Sequence, residues 1–91
     1  MKFMTTWTLP TGEHYRAAVQ HFLKTGGPPP AGVKMLGRWH GADGRGVLIA
    51  EGTDEKAIGK WVSEWREFMD IHTTVALDDA DMAPILQSLF G

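Results

Sequence analysis

Three stretches of the chain alternate with a period of two, which is the side-chain period of a β-strand, and a fourth is a short apolar run of strand length. The first and the last of them are Lys2 to Leu9 and Asp70 to Leu77. The other two flank the turn sequence Gly41-Ala42-Asp43-Gly44 inside the segment Val33 to Thr53. A short glycine-containing turn between two such stretches predicts a β-hairpin.

Two stretches between the predicted strands repeat apolar residues at helical spacing instead. The first follows Thr11, which can cap a helix, and ends at Thr25-Gly26-Gly27. Its apolar stripe is Tyr15, Ala18, Val19, Phe22 and Leu23. The second helix begins at Thr53 or Asp54. Its apolar stripe is Ala57, Ile58, Trp61, Val62, Trp65 and Met69. A short third helix is predicted after Asp78.

The order of the predicted elements is strand, helix, hairpin, helix, strand, followed by the short helix. Two strand-helix-strand units joined by a hairpin, with right-handed crossovers, form a four-stranded antiparallel sheet with both main helices on one face. This order predicts an α+β fold of the ferredoxin-like βαββαβ type. A chain of 91 residues is expected to be one domain, residues 1–91.

The hairpin turn predicts which residues of its two strands face each other. If Asp43-Gly44 is the centre of a two- or four-residue loop, three cross-strand pairs lie on one sheet face. They are His40 with Val47, Arg38 with Ile49, and Leu36 with Glu51. Trp39 then lies on the face toward the helices. A three-residue loop would shift this pairing.

Both faces of the predicted hairpin carry large apolar side chains. Leaving Leu36, Val47 and Ile49 in water would forfeit about 1.5 to 3 kcal/mol for each of them. A second copy of the chain, packed sheet against sheet, would cover these residues. The pattern therefore predicts a homodimer.

The net charge of −2 at pH 7 argues against binding to nucleic acids or anionic membranes by bulk electrostatics. The chain has no cysteine, so disulfides, thiolate catalysis and cysteine zinc sites are excluded. No window is long and apolar enough for a signal peptide or a membrane span. We therefore expect a cytoplasmic protein with no nucleic-acid or membrane partner.

Several segments together resemble a small bacterial family of unknown function, and the resemblance covers nearly the whole chain. They are Phe3-Met4-Thr5-Thr6-Trp7-Thr8, Thr25-Gly26-Gly27-Pro28-Pro29-Pro30, Leu36-Gly37-Arg38-Trp39-His40, Ala42-Asp43-Gly44 and Glu64-Trp65. That family is similar to the dimeric α/β barrel superfamily, which includes cofactor-independent monooxygenases, haem-degrading enzymes, isomerases and stress-responsive proteins. The resemblance implies this fold and a dimer, and it carries no established activity.

Arg38, His40 and Glu51 are the candidate polar site, because the predicted register places them on one sheet face. Such a cluster can orient an anionic substrate or move a proton, since histidine changes its charge near neutral pH. The alternative is a partly buried ion pair that fixes the dimer interface. His40 and His72 are the candidate catalytic bases.

The four tryptophans are a large aromatic content for a small domain. Trp7, Trp39 and Trp65 are candidate ligand-binding residues, together with Arg38, His40 and Glu51, because substrates of dimeric α/β barrel oxygenases lie between sheet and helices. The alternative is that the indoles, including Trp61, only fill the core. The chain contains no asparagine, the residue on which the haem-degrading and quinone-forming members depend.

No metal site and no cofactor are expected. His14 and His21 lie seven residues apart on one helix, about 10.5 Å along its axis, which is too far for one ion. Asp70 and His72 share a strand face, but no third ligand is evident nearby. The acidic residues Asp78, Asp79 and Asp81 are interpreted as charges at a helix N-terminus.

The sequence thus supports two hypotheses about function. The first is a homodimer that binds a small apolar or aromatic molecule between sheet and helices, and any catalysis there would be oxygenase- or isomerase-like and independent of a cofactor. The second is a structural or regulatory dimerisation module without a ligand. A cleft lined by tryptophan and by a convergent histidine or arginine would favour the first hypothesis over the second.

Overall fold

The computed structural model describes residues 1–91 and contains one four-stranded sheet and three helices. In chain order the elements are β1 (Lys2–Thr8), α1 (Glu13–Thr25), β2 (Val33–His40), β3 (Arg45–Gly52), α2 (Glu55–Trp65), β4 (Asp70–Val75) and α3 (Asp79–Phe90). The strand order is β2-β3-β1-β4, and all neighbouring strands are antiparallel. The predicted ferredoxin-like α+β fold is confirmed. The fourth strand ends at Val75, two residues before the predicted end.

One face of the sheet carries the core, which also includes most of the predicted stripe of α2. The core residues are Phe3, Trp7, Val33, Leu48, Ala50 and Ile71 from the strands and Ile58, Trp61, Val62 and Trp65 from α2. We call this side of the sheet the helix face. The other side is the open face, and it carries the large apolar residues Met4, Trp39, Val47 and Ile49.

The helices begin and end at residues that satisfy their terminal backbone groups. The Asp54 side chain accepts hydrogen bonds from the backbone N–H groups of Lys56 and Ala57, so Asp54 is the N-cap of α2. Thr11 does not cap α1. The N-cap there is Gly12, which has no side-chain cap bond, and α1 ends at Gly26 in the left-handed conformation.

The third helix lies outside the core. None of its residues is buried, although its apolar residues recur at helical spacing along one side. Its most exposed apolar side chains are Leu89 at 67% and Phe90 at 84%. It is held at its start by a capping box, in which Asp78 and Asp81 each accept from the backbone N–H of the other.

The capping box makes the stability of α3 depend on pH. The hydrogen bond from the backbone N–H of Asp81 holds the pKa of Asp78 below its usual value of 3.8. The bond therefore stabilises α3 above that value, and its contribution is lost as pH falls through the lower pKa of the folded state. We expect the Cα chemical shifts of the first turn of α3 to move toward coil values in acid. Asp78→Asn keeps a side-chain oxygen that can cap the helix but has no carboxylate to titrate. An equal acid-induced change of these chemical shifts in Asp78→Asn would contradict the assignment.

Candidate functional site

A cavity of about 640 Å³ lies between the helix face of the sheet and the helices α1 and α2. Its volume falls within the range of about 300 to 1,000 Å³ that is usual for small-molecule sites. Its walls are mostly apolar and aromatic, and they include Trp7, Leu48, Val19, Phe22, Trp61 and Trp65. Exposed residues of the loop 10–12 and of the turn 41–44 form its rim. The cavity is therefore open to solvent at one end.

The cavity lies beneath α1 because little of this helix is buried against the core. Only Ala18 of α1 is buried, whereas the ends of its predicted stripe, Tyr15 and Leu23, are 47% and 75% exposed. Near its C-terminus, the His21 ring packs on Trp65, and its Nε2–H donates a hydrogen bond of 3.3 Å to a carboxylate oxygen of Glu64. Space therefore remains beneath the rest of the helix.

The predicted register of the hairpin is wrong by one residue. His40 pairs with Gly46 and Arg38 with Leu48, because the turn is a three-residue loop in which Gly44 has a positive φ of 91°. The backbone N–H of Gly41 donates to the carbonyl of Arg45 and closes this loop. A one-residue shift moves every side chain to the other face.

The corrected register brings Arg38 and His40 to the cavity and removes Trp39 from it. Arg38 and His40 both line the cavity, together with Trp7 and Trp65. Trp39 pairs with Val47 on the open face, where it is 59% exposed, so its predicted position toward the helices is wrong.

The other two residues that the sequence indicated as site candidates, Glu51 and His72, also lie on the open face. Glu51 pairs with Lys2 and Lys34, so the predicted grouping of Glu51 with Arg38 and His40 on one face is wrong. His72 lies beside Asp70, with 3.3 Å between the His72 Nε2 and a carboxylate oxygen, and both side chains are largely exposed. No three histidine, aspartate or glutamate side chains lie close enough together to hold a metal ion.

Arg38 is fixed in place by the loop that follows α1. Its Nη1 donates to the Gly27 carbonyl at 2.7 Å, and its Nη2 donates to the Gly26 carbonyl at 3.1 Å. The guanidinium carbon lies 4.9 Å from the centre of the Phe22 ring, a cation–π distance. The guanidinium is therefore pre-positioned at the cavity wall by three groups that carry no charge.

An aromatic row crosses the sheet beside Arg38. Trp7 and His40 both pair with Gly46, one from each side, and a Cβ at Gly46 would fall within the Trp7 indole. The absence of a side chain at Gly46 lets the indole lie over β3, with its ring centre 5.8 Å from that of His40. Phe22 meets the same imidazole edge-on at 5.5 Å.

The centre of the cavity floor is polar at one point. Thr5 is 4% exposed, and its hydroxyl shares a hydrogen bond of 2.8 Å with the hydroxyl of Thr73 on the neighbouring strand. Both side chains therefore have a partner, and the floor presents no unpaired buried polar atom. Sequence reasoning missed Phe22 and Gly46 as parts of the site. Only Gly46 gave a signal, since a glycine inside a strand often marks a close approach.

Fold and cavity together define a small ferredoxin-like domain with an open, aromatic-lined site between sheet and helices. The chain belongs to the family described as a domain of unknown function, DUF3303, whose family model matches residues 1–90. No curated protein and no solved structure shows significant similarity to the chain. None of the three helices is long and apolar enough to cross a membrane.

Proposed function

We propose that this protein is a homodimer of the dimeric α/β barrel type that binds a small aromatic or apolar molecule in the cavity between its sheet and helices. The observation that supports this proposal is the cavity of about 640 Å³ itself, whose walls carry Trp7, Trp61 and Trp65. A core that used these indoles only as filling would leave no such space, because protein interiors are close-packed.

His40 is the candidate for proton transfer in this proposal. It is the only histidine among the residues that line the cavity, and its side chain lies at the rim between Trp7 and Phe22. His72 lies on the open face and has no access to the cavity. Proton transfer at this site would therefore use His40 as the base.

The binding proposal is tested with 2-naphthalenemethanol, a neutral aromatic probe, and the indole N–H signals of the four tryptophans. We expect the NMR signals of Trp7, Trp61 and Trp65 to shift in a saturable way. Trp39 is the internal control, and its signal should stay in place because it lies on the open face.

Two variants of α1 separate binding in the cavity from binding elsewhere. Val19→Phe adds volume inside the cavity and should weaken binding of the probe, whereas Leu23→Phe changes a residue that is 75% exposed and should not. Saturable binding that is insensitive to Val19→Phe, or shifts at Trp39 alone, would contradict the proposal.

The alternative function, a dimerisation module without a ligand, rests on the open face. Met4 and Trp39 are 37% and 59% exposed there, beside the partly buried Val47 and Ile49. Large contiguous apolar surfaces on a small domain are typical of interaction sites. The two functions are compatible in one molecule, because the open face and the cavity lie on opposite sides of the sheet.

A further inference from the structure

We propose that the cavity selects an aromatic carboxylate, and that the carboxylate binds to Arg38. This inference rests on the proposed ligand-binding function and specifies the class of its ligand. It follows from the charges around the cavity and from the geometry of the arginine.

Arg38 is a cation without a carboxylate partner. The three ion pairs of the protein join His21 to Glu64, Arg45 to Asp43, and His72 to Asp70. Arg38 donates two hydrogen bonds to backbone carbonyls, which leaves three of the five guanidinium N–H groups free. The two carbonyls accept hydrogen bonds from Arg38 but do not neutralise the positive charge of its guanidinium.

The one carboxylate on the cavity lining is already engaged elsewhere. Asp43 accepts hydrogen bonds from the backbone N–H of Arg45 at 3.1 Å and from the Arg45 Nε at 2.8 Å. These bonds also hold the pKa of Asp43 below its usual value. Its negative charge is therefore paired with Arg45, and the positive charge of Arg38 is left for a ligand.

The position of Arg38 also fits an aromatic acid in particular. A guanidinium binds a carboxylate through parallel N–H groups, and such bonds are stronger where water is partly excluded. Arg38 is half-buried and fixed by Gly26, Gly27 and Phe22, so little conformational freedom is lost on binding. The apolar walls beside it, including Trp7 and Leu48, accept the aromatic ring.

Three probes with one ring system and different charge test the inference. They are 2-naphthoate, 2-naphthalenemethanol and 2-naphthylmethylammonium, each titrated at neutral pH and followed by the indole signals of the cavity. We expect 2-naphthoate to bind at least about 10-fold more tightly than the alcohol, which corresponds to about 1.4 kcal/mol. The ammonium probe should bind most weakly, because it meets the uncompensated charge of Arg38.

Two variants that each remove a positive charge from β2 test whether Arg38 causes the preference for 2-naphthoate. Arg38→Met should abolish the preference for 2-naphthoate over the alcohol. Lys34→Met is the matched control, since it removes the same charge from the open face of β2 and should keep the preference. Thermal unfolding of both variants shows whether they are folded.

A second measurement needs no variant. In the wild-type protein, the Arg38 Nε–H signal should shift with 2-naphthoate and change little with the alcohol. Equal affinities for acid and alcohol, or a preference that survives Arg38→Met, would overturn the inference and leave the proposed cavity function standing. Failure of all three probes to bind would overturn the proposed function itself.

Discussion

Replacing Gly46 with alanine should destabilise the protein by about 1 to 3 kcal/mol, the usual cost of adding a group to a packed interior. The Trp7 indole occupies the space that the new methyl group would need. Trp7 cannot move far, because it is buried in the core and packs against His40. The substitution should therefore also disturb the cavity wall and weaken binding of 2-naphthalenemethanol.

The same substitution at Gly59 is the control for the Gly46 variant. Gly59 lies in α2, is exposed, and has no atom near the position of a Cβ. Gly59→Ala should stabilise the protein by up to about 1 kcal/mol, because alanine is the better helix former. Urea unfolding of both variants measures whether each substitution lowers or raises the free energy of unfolding. A Gly46→Ala protein as stable as the wild type would show that the indole does not lie over β3.

Replacing Trp39 with alanine should weaken the proposed homodimer by about 2 kcal/mol or more, as expected for a central aromatic residue of an interface. This corresponds to a rise in the dissociation constant of about 30-fold. Trp39 packs across Gly37 on the open face and is 59% exposed, so its removal should leave the fold of each protomer intact. Sedimentation velocity over a range of concentrations gives the dissociation constant.

Leu23→Ala is the matched control for the Trp39 variant. Leu23 is 75% exposed on α1, on the other side of the sheet from Trp39, and its removal should not change the dissociation constant. A wild-type protein that sediments as a monomer at micromolar concentration would refute the dimer. A dimer that both variants leave unchanged would place the interface away from the open face.

The element order and the stripe of α2 could be predicted because they depend on local periodicity. Four of the six predicted stripe residues of α2 are buried in the core and Asp54 caps the helix, whereas Met69 lies beyond the end of α2 at Trp65. The hairpin register depends on the length of one loop, and two of the three lengths considered give the wrong register. The informative residue is Gly44, since a glycine with positive φ at the end of a three-residue loop is a common hairpin form.

The candidate site was predictable only in part, because it depends on strand register and on helix packing in the tertiary structure. Trp7, Arg38, His40 and Trp65 were candidates and do line the cavity, but Arg38 and His40 reach it through a register that the sequence did not predict. The cavity depends on how closely α1 approaches the sheet. A stripe of apolar residues indicates which side of a helix faces inward, but not the depth to which that side is buried.

The irregularity between Met35 and Gly37 divides β2 into two segments of opposite phase. Before it, the odd-numbered Val33 and Met35 face the core, and after it, the even-numbered Arg38 and His40 face the cavity. One strand can thereby supply apolar packing at one end and charge at the other. The turn length and the bulge together determine which residues of β2 face the cavity. A one-residue insertion or deletion in the turn would exchange Arg38 for Trp39 in the cavity, unless an opposite change at the bulge restored the phase.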